Sequence, residues 1–258
     1  LYVLLALGLN IVVGYAGLLD LGYVAFFAVG AYMYGLLASP HLTEAFPALA
    51  ATFPNGLHMP LWVIIPAGAG LAGLFGMLLG APTLKLRGDY LAIVTLGFGE
   101  IVRVLLEQTA PMVPAKEAAA HSLWSLMDNL GGAGGFKRNP KYIDPQNPFW
   151  VWVFVAIVLI VAYRLKTSSK GRQLLAVREN EIAAEAMGIK TTKAKVSAFM
   201  TSAFFAGIGG GLYAHELGNS LRPADLGFQK SIDIVIIVVL GGMGSISGAV
   251  IAAIAVTL

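Results

Sequence analysis

Apolar residues occur in long runs separated by short glycine-rich or polar stretches. Leu1–Val13 and Val24–Leu37 flank Gly14–Gly22, a turn-prone segment that carries a charge. Leu61–Leu84, Tyr90–Leu106, Phe149–Leu165 and Val196–Leu217 follow. Ile232–Leu258 is apolar again but is interrupted by Gly241-Gly242-Met243-Gly244. Runs of this length predict membrane-spanning helices. The two interrupted runs predict broken or re-entrant helices, because irregular backbone at membrane depth survives only where protein or a water-filled cavity surrounds it. The expected fold class is all-α: a polytopic transmembrane helical bundle forming a single domain over 1–258. Gly76/Gly80 and Gly207/Gly211 are GxxxG pairs that let a second helix approach closely.

The polar stretches differ in charge. Ser39–Pro60 holds four prolines and no Lys or Arg, and Glu107–Pro148 is the longest hydrophilic stretch. The segment 164–195 holds Arg164, Lys166, Lys170, Arg172, Arg178, Lys190, Lys193 and Lys195, out of 17 Lys+Arg in the chain. Basic residues concentrate on the cytoplasmic side, so 166–195 is read as a cytoplasmic loop and Ser39–Pro60 as external. Trp62, Trp150 and Trp152 then sit at the outer interface, where indole rings favour the headgroup layer. Lys116, Lys137, Arg138 and Lys141 fall outside and strain that assignment.

Composition supports a membrane protein. The chain is 57% hydrophobic and 12% charged, with mean hydropathy +0.77; a soluble domain carries about twice that charged fraction. The net charge of +3 does not suggest nucleic acid. With no cysteine, and His41, His58, His121 and His215 far apart, no metal or cofactor site is expected. The chain begins on Leu1 and ends inside an apolar run, so both native ends are expected to lie outside it.

Arg178–Gly188 is charged and helix-forming, an unusual insertion between two apolar runs. Leu175, Ile182 and Ala186 fall on one helical stripe, Arg178, Glu181 and Glu185 on the next, and Gly188 is a natural stop. One reading is an amphipathic helix on the bilayer. Its polar face is of mixed sign, however, with Glu179, Glu181 and Glu185, whereas a lipid-binding helix is mainly basic; docking of a partner is the rival. The glycine breaks likewise admit two readings, a transport pathway or close helix packing. Asp20, Asp89, Glu100, Arg103 and Asp233 lie in or near apolar runs, where ionisable groups are costly. Glu100 and Arg103 are spaced to satisfy each other, and capping competes with a pathway role for Asp20 and Asp233. Gly68–Gly73 matches a dinucleotide fingerprint only formally, inside an apolar helix. No Walker A sequence is present; His215-Glu216 lacks a second His, and Gly244–Gly248 lacks the partners of a hydrolase elbow.

Lys85-Leu86-Arg87-Gly88-Asp89-Tyr90-Leu91-Ala92-Ile93-Val94-Thr95-Leu96-Gly97 resembles the permease of branched-chain amino-acid ABC importers, of the LivM type. So do Gly171-Arg172, Arg178–Gly188, Val239–Ser245, Gly14–Gly17 and Leu21-Gly22. Against the general importer signature, Glu-Ala-Ala-x-x-x-Gly, Ala183, Ala184 and Gly188 match, while Ile182 replaces the Glu. Glu107–Pro148 departs from the family by lacking its Gly-Pro-Asn-Gly-type segment. The resemblance implies a multi-pass bacterial inner-membrane permease, not itself an enzyme, for leucine, isoleucine and valine. It implies as partners a second related permease subunit, ATP-binding cassette ATPase subunits and an extracytoplasmic substrate-binding protein, with membrane lipid around them. Arg178, Glu179, Glu181, Ala184, Glu185 and Gly188 are the expected ATPase-coupling residues. Gly14, Gly17, Asp20, Thr95, Glu100, Asp233, Gly241 and Gly242 are the expected pathway residues. The alternatives are an ABC permease for urea or other amino acids, and an ion-coupled secondary transporter.

Overall fold

A computed structural model describes residues 1–38, 59–83, 89–109, 130, 132–137, 148–216 and 220–257. Residues 39–58 of the basic-free stretch, Lys85 and Arg87, most of Glu107–Pro148, and His41, His58 and His121 lie outside the described residues. The described chain is helical: α1 (Tyr2–Asn10), continued by a π-helical turn (Ile11–Tyr15), α2 (Tyr23–Ala38), α3 (Leu61–Thr83), α4 (Asp89–Glu107), α5 (Pro148–Thr167), α6 (Ser169–Glu179), α7 (Glu181–Ala186), α8 (Thr191–Glu216), α9 (Phe228–Leu240) and α10 (Ile246–Thr257). The strands β1 (Phe136–Lys137) and β2 (Ser220–Leu221) pair antiparallel and tie two connecting segments together. Helices α3, α5 and α8 are long and apolar enough to cross a membrane.

Helix α1 is apolar on every side, and every residue from Leu4 through Ala16 is buried. A helix with no polar face belongs in the centre of a bundle; α8, α10, α9 and α5 surround it. Helix α8 packs on α3 and α2 through small residues. A methyl group on Gly207 would meet Ala69 Cα at 2.8 Å and Ala72 Cβ at 2.7 Å, and one on Gly76 would meet Ala203 Cβ at 2.5 Å. One member of each GxxxG pair thus holds a close helix approach. The formal dinucleotide fingerprint is part of this interface, inside α3.

Both glycine breaks exist. The first runs from Ala16 to Gly22, between the π turn and α2, so Gly14 belongs to the helix that precedes it. The second occupies 241–245, between α9 and α10, where Gly241 and Gly248 are in backbone contact. Trp62 and Trp150, near the starts of α3 and α5, stack edge to face with centroids 4.5 Å apart. The charged segment follows the other end of α5, about 30 Å away for a 20-residue helix. Tryptophan-bearing and lysine-rich ends are therefore separated by a bilayer core's thickness.

The charged segment is two helices, which corrects the expectation of one continuous stripe. Asn180 is extended (φ −158°, ψ 108°) and its side chain accepts a hydrogen bond from the Ala183 backbone N–H at 3.0 Å, starting α7 anew. The change of direction leaves Ile182 73% exposed, away from Leu175. Gly188 (φ +82°) ends α7 in the left-handed region, with Gly188 N–H donating to the Glu185 carbonyl and Ile189 N–H to the Ala184 carbonyl.

Candidate functional site

The two breaks, far apart in sequence at 16–22 and 241–245, meet at the end of the bundle that carries α6 and α7. Asn10 makes the junction. It is 1% exposed, and its side-chain amide donates to the Ser245 carbonyl at 3.1 Å while its Oδ1 accepts from the Gly244 N–H at 2.8 Å. One amide thus satisfies the Gly244 N–H of the irregular backbone and adds a second donor to the Ser245 carbonyl, which also accepts from the Ala249 N–H at 3.2 Å. Gly14 contacts the same loop, with no room for a Cβ between Asn10 and Gly244. Gly242 and Gly244 take φ of +86° and +87°, and the left-handed region favours glycine.

Cations reach this junction from the charged segment. Arg178, at the end of α6, donates through Nη1 to the Gly14 carbonyl at 2.6 Å. Its aliphatic stem passes Gly17, where a Cβ would stand 2.9 Å from Arg178 Cγ. Lys166, in the last turn of α5, donates to the Gly244 carbonyl at 3.0 Å. Arg178 therefore links α6 to the first break directly and touches the second.

Asp20 and Thr95 organise the rest of the first break. Asp20 is wholly buried; its Oδ1 accepts from the Gly22 N–H at 2.9 Å, immediately before α2. Thr95, also wholly buried, accepts from the Leu21 N–H at 3.1 Å and donates to the Ala92 carbonyl at 3.0 Å. Gly22 lies against the Thr95 carbonyl too tightly for a side chain. Asp20 is thus engaged in the turn that starts α2, and Thr95 fastens that turn to α4.

The expected coupling residues separate by environment. Ala184 is buried and seats α7 on the bundle. Glu181 is paired with the buried Lys195 at 2.5 Å and Glu185 accepts from the Thr191 hydroxyl at 2.6 Å, both stapling α7 to the start of α8. Glu179 and Gly188 are exposed, with Ile182 and Met187, the last 83% exposed. A rigidly seated two-turn helix thus presents two apolar side chains among charges. Sequence reasoning placed Ile182 on one helical stripe with Leu175 and Ala186, and missed Met187, Asn10 and Lys166. The signal for Asn10 was present: it is the one polar side chain among Leu1–Val13 apart from Tyr2.

The remaining expected pathway residues lie at the other end of α1. Glu100 and Asp233 line one cavity of about 430 Å³, with Tyr2 at its edge. Arg103 bridges Glu100 and Glu107, so the expected Glu100–Arg103 pair is a triad along α4. Glu100 and Asp233 thus stand apart from the glycines at the Asn10 junction, whereas Asp20 and Thr95 lie along α4 beside Gly99, the residue before Glu100.

Comparison with known proteins gives concordant results. The whole chain, residues 1–258, matches the family described as "Branched-chain amino acid transport system / permease component". It is 37% identical over 268 residues to the high-affinity branched-chain amino acid transport system permease protein LivM of Escherichia coli K12, and 38% identical over 269 residues to the LivM protein of Salmonella typhimurium LT2. Each match covers 98% of this chain and 59% of the relative, so the chain spans just under three fifths of the curated proteins it resembles. The permease protein LivH of S. typhimurium LT2 is 22% identical over 255 residues, covering 97% of this chain and 77% of LivH. No solved structure matches the chain.

Proposed function

Since the chain belongs to the family of branched-chain amino acid transport system permease components, we propose that it is the LivM-type transmembrane subunit of an ATP-driven importer of leucine, isoleucine and valine, resident in the bacterial inner membrane. Its partners are a second permease of the LivH kind, a pair of ATP-binding cassette subunits and an extracytoplasmic binding protein. LivM and LivH are both named as permease proteins of one high-affinity system, and this chain is similar to both. The segment from Glu179 through α7 to Met187 docks on the ATPase through Glu179, Ile182 and Met187, and the breaks at 16–22 and 241–245 move when it does.

The observation that carries this reading is the Arg178 contact. A docking helix transmits force only if it is fastened to the part that moves, and Arg178 fastens α6 to the Gly14 carbonyl while touching Gly244. The hydrogen bond is charge-assisted and 2.6 Å long, of the stronger kind. The docking apolar residues lie one helix further on, past Asn180.

Reconstituted importer tests this. Wild-type proteoliposomes with ATPase and binding protein should accumulate labelled leucine upon ATP addition, with isoleucine and valine competing and urea not. Arg178→Ala should leave ATPase subunits bound and hydrolysing but cut leucine uptake about tenfold or more, while Ile182→Asp should lose the ATPase. Uptake driven by an ion gradient without ATPase would establish a secondary transporter instead. Unchanged uptake in Arg178→Ala would remove Arg178 from the coupling path.

A further inference from the structure

The cavity at the end of α1 remote from α6 and α7 has a charge arrangement that packing does not require. On one wall, Arg103 is already matched by Glu100 and Glu107. On the other, Lys230 of α9 faces Asp225 and Asp233, yet none of these three makes a salt bridge within 4.0 Å among the described residues. The Lys230 ammonium sits among aromatic rings, 4.4 Å from the Tyr213 centroid, 5.8 Å from Phe27 and 5.9 Å from Tyr2. Asp225 and Asp233 are exposed, so the cavity is open to the surface on their side. Gly227, at the turn into α9, lies 3.3 Å from Arg103 Cδ where a Cβ would stand, which brings the two walls together.

The Lys230 ammonium, half-buried over the rings and with no carboxylate within 4.0 Å among the described residues, is left free to meet an anionic group, while the exposed Asp233 on the same helix is free to meet a cationic one. A ligand with a carboxylate and an ammonium on one carbon compensates both. The volume of about 430 Å³ is that of a small-molecule site, and the rings offer apolar contact for a side chain. We propose that this cavity binds the zwitterionic head of a free α-amino acid, Lys230 meeting the carboxylate and Asp233 the ammonium. This rests on the importer reading and gives the permease its own substrate site, at the end opposite the ATPase. A phosphatidylethanolamine headgroup presents a similar pair of charges and is the rival occupant.

The experiment uses the full-length chain assembled with its partner permease and ATPase, without binding protein or nucleotide, in nanodiscs of phosphatidylglycerol alone. Tritiated leucine should bind saturably. Isocaproate, which lacks the ammonium, and isoamylamine, which lacks the carboxylate, should each compete at least about tenfold less well than unlabelled leucine, as expected for loss of one charge-assisted contact. Lys230→Gln should weaken leucine binding about tenfold; Asp233→Asn, at an exposed position without an ion pair, should do the same in a complex that assembles normally. Equal competition by isocaproate, or full-strength binding in both variants, overturns the proposal. So does displacement of leucine by phosphatidylethanolamine added to the discs, which would assign the cavity to lipid. Leucine uptake by the intact importer is measured in parallel. Normal uptake with no leucine bound to the permease overturns this inference alone, whereas absence of leucine uptake overturns the functional reading beneath it.

Discussion

Asn10 shows how far one residue can be read from sequence. An amide in an apolar run signals an internal partner, because a buried amide left unpaired is costly. The partner cannot be read, since it lies 235 residues away at Ser245. Arg178 poses the same problem in reverse: its place in a charged segment suggests a docking contact, but the guanidinium turns back to Gly14. Gly244 was legible as part of a break but not as a neighbour of Gly14. A single-residue prediction follows from the Asn10 geometry. Asn10→Leu keeps the branched shape but strands the Gly244 N–H, worth about 1–3 kcal/mol when buried unpaired, while the Ser245 carbonyl keeps its bond from the Ala249 N–H. Thermal unfolding of the detergent-purified subunit should show a lower midpoint for Asn10→Leu, whereas Leu9→Met, next to it in the same helix, should stay near wild type. Equal midpoints would mean the two breaks hold together without the amide.

At the level of elements, the spans were legible because apolar run length fixes them, and α3 and α5 begin and end within two residues of the expected limits, as does the end but not the start of α8. That helix begins at Thr191 rather than Val196, since Lys193 and Lys195 are good helix formers and Lys195 is held by Glu181. The split at Asn180 was less legible: Leu175, Ile182 and Ala186 keep helical spacing across it. Asn is also among the best N-cap residues, and Asn180-Glu181 is a start signal inside the run. The cap carries a prediction. Asn180→Ala should remove about 1 kcal/mol from α7 and favour a single continuous helix, which would rotate Ile182 and Met187 relative to the bundle. ATPase co-purified with the permease should fall for Asn180→Ala and be retained for Asn180→Asp, which keeps the capping oxygen. If the two variants hold ATPase equally, the turn at Asn180 does not set the docking face.

Over the whole molecule, α1 runs from the cavity at Tyr2 to the break junction at Asn10 and Gly14, and its burial on all sides makes it a strut between the two ends. Composition cannot show this, because an all-apolar helix reads the same in the centre as against lipid; only packing distinguishes α1 from α5, whose exposed Trp152, Ile160 and Tyr163 face outward. The arrangement requires that the two ends lie on opposite sides of the membrane. A cysteine-free chain allows a direct test. Ser169, exposed at the start of α6, and Met59, exposed just ahead of α3, are single labelling sites at the two ends. In intact cells with a permeable outer membrane, an impermeant maleimide should label Met59→Cys and spare Ser169→Cys; inverted vesicles should reverse the pattern. The basic residues of 164–195 set this orientation because positively charged loops are retained on the cytoplasmic side. Labelling of Ser169→Cys from outside would place α7 where no ATPase can reach it. The Arg178 linkage would then join the breaks to the external face, and neither the coupling role of α7 nor a substrate cavity at Lys230 would stand.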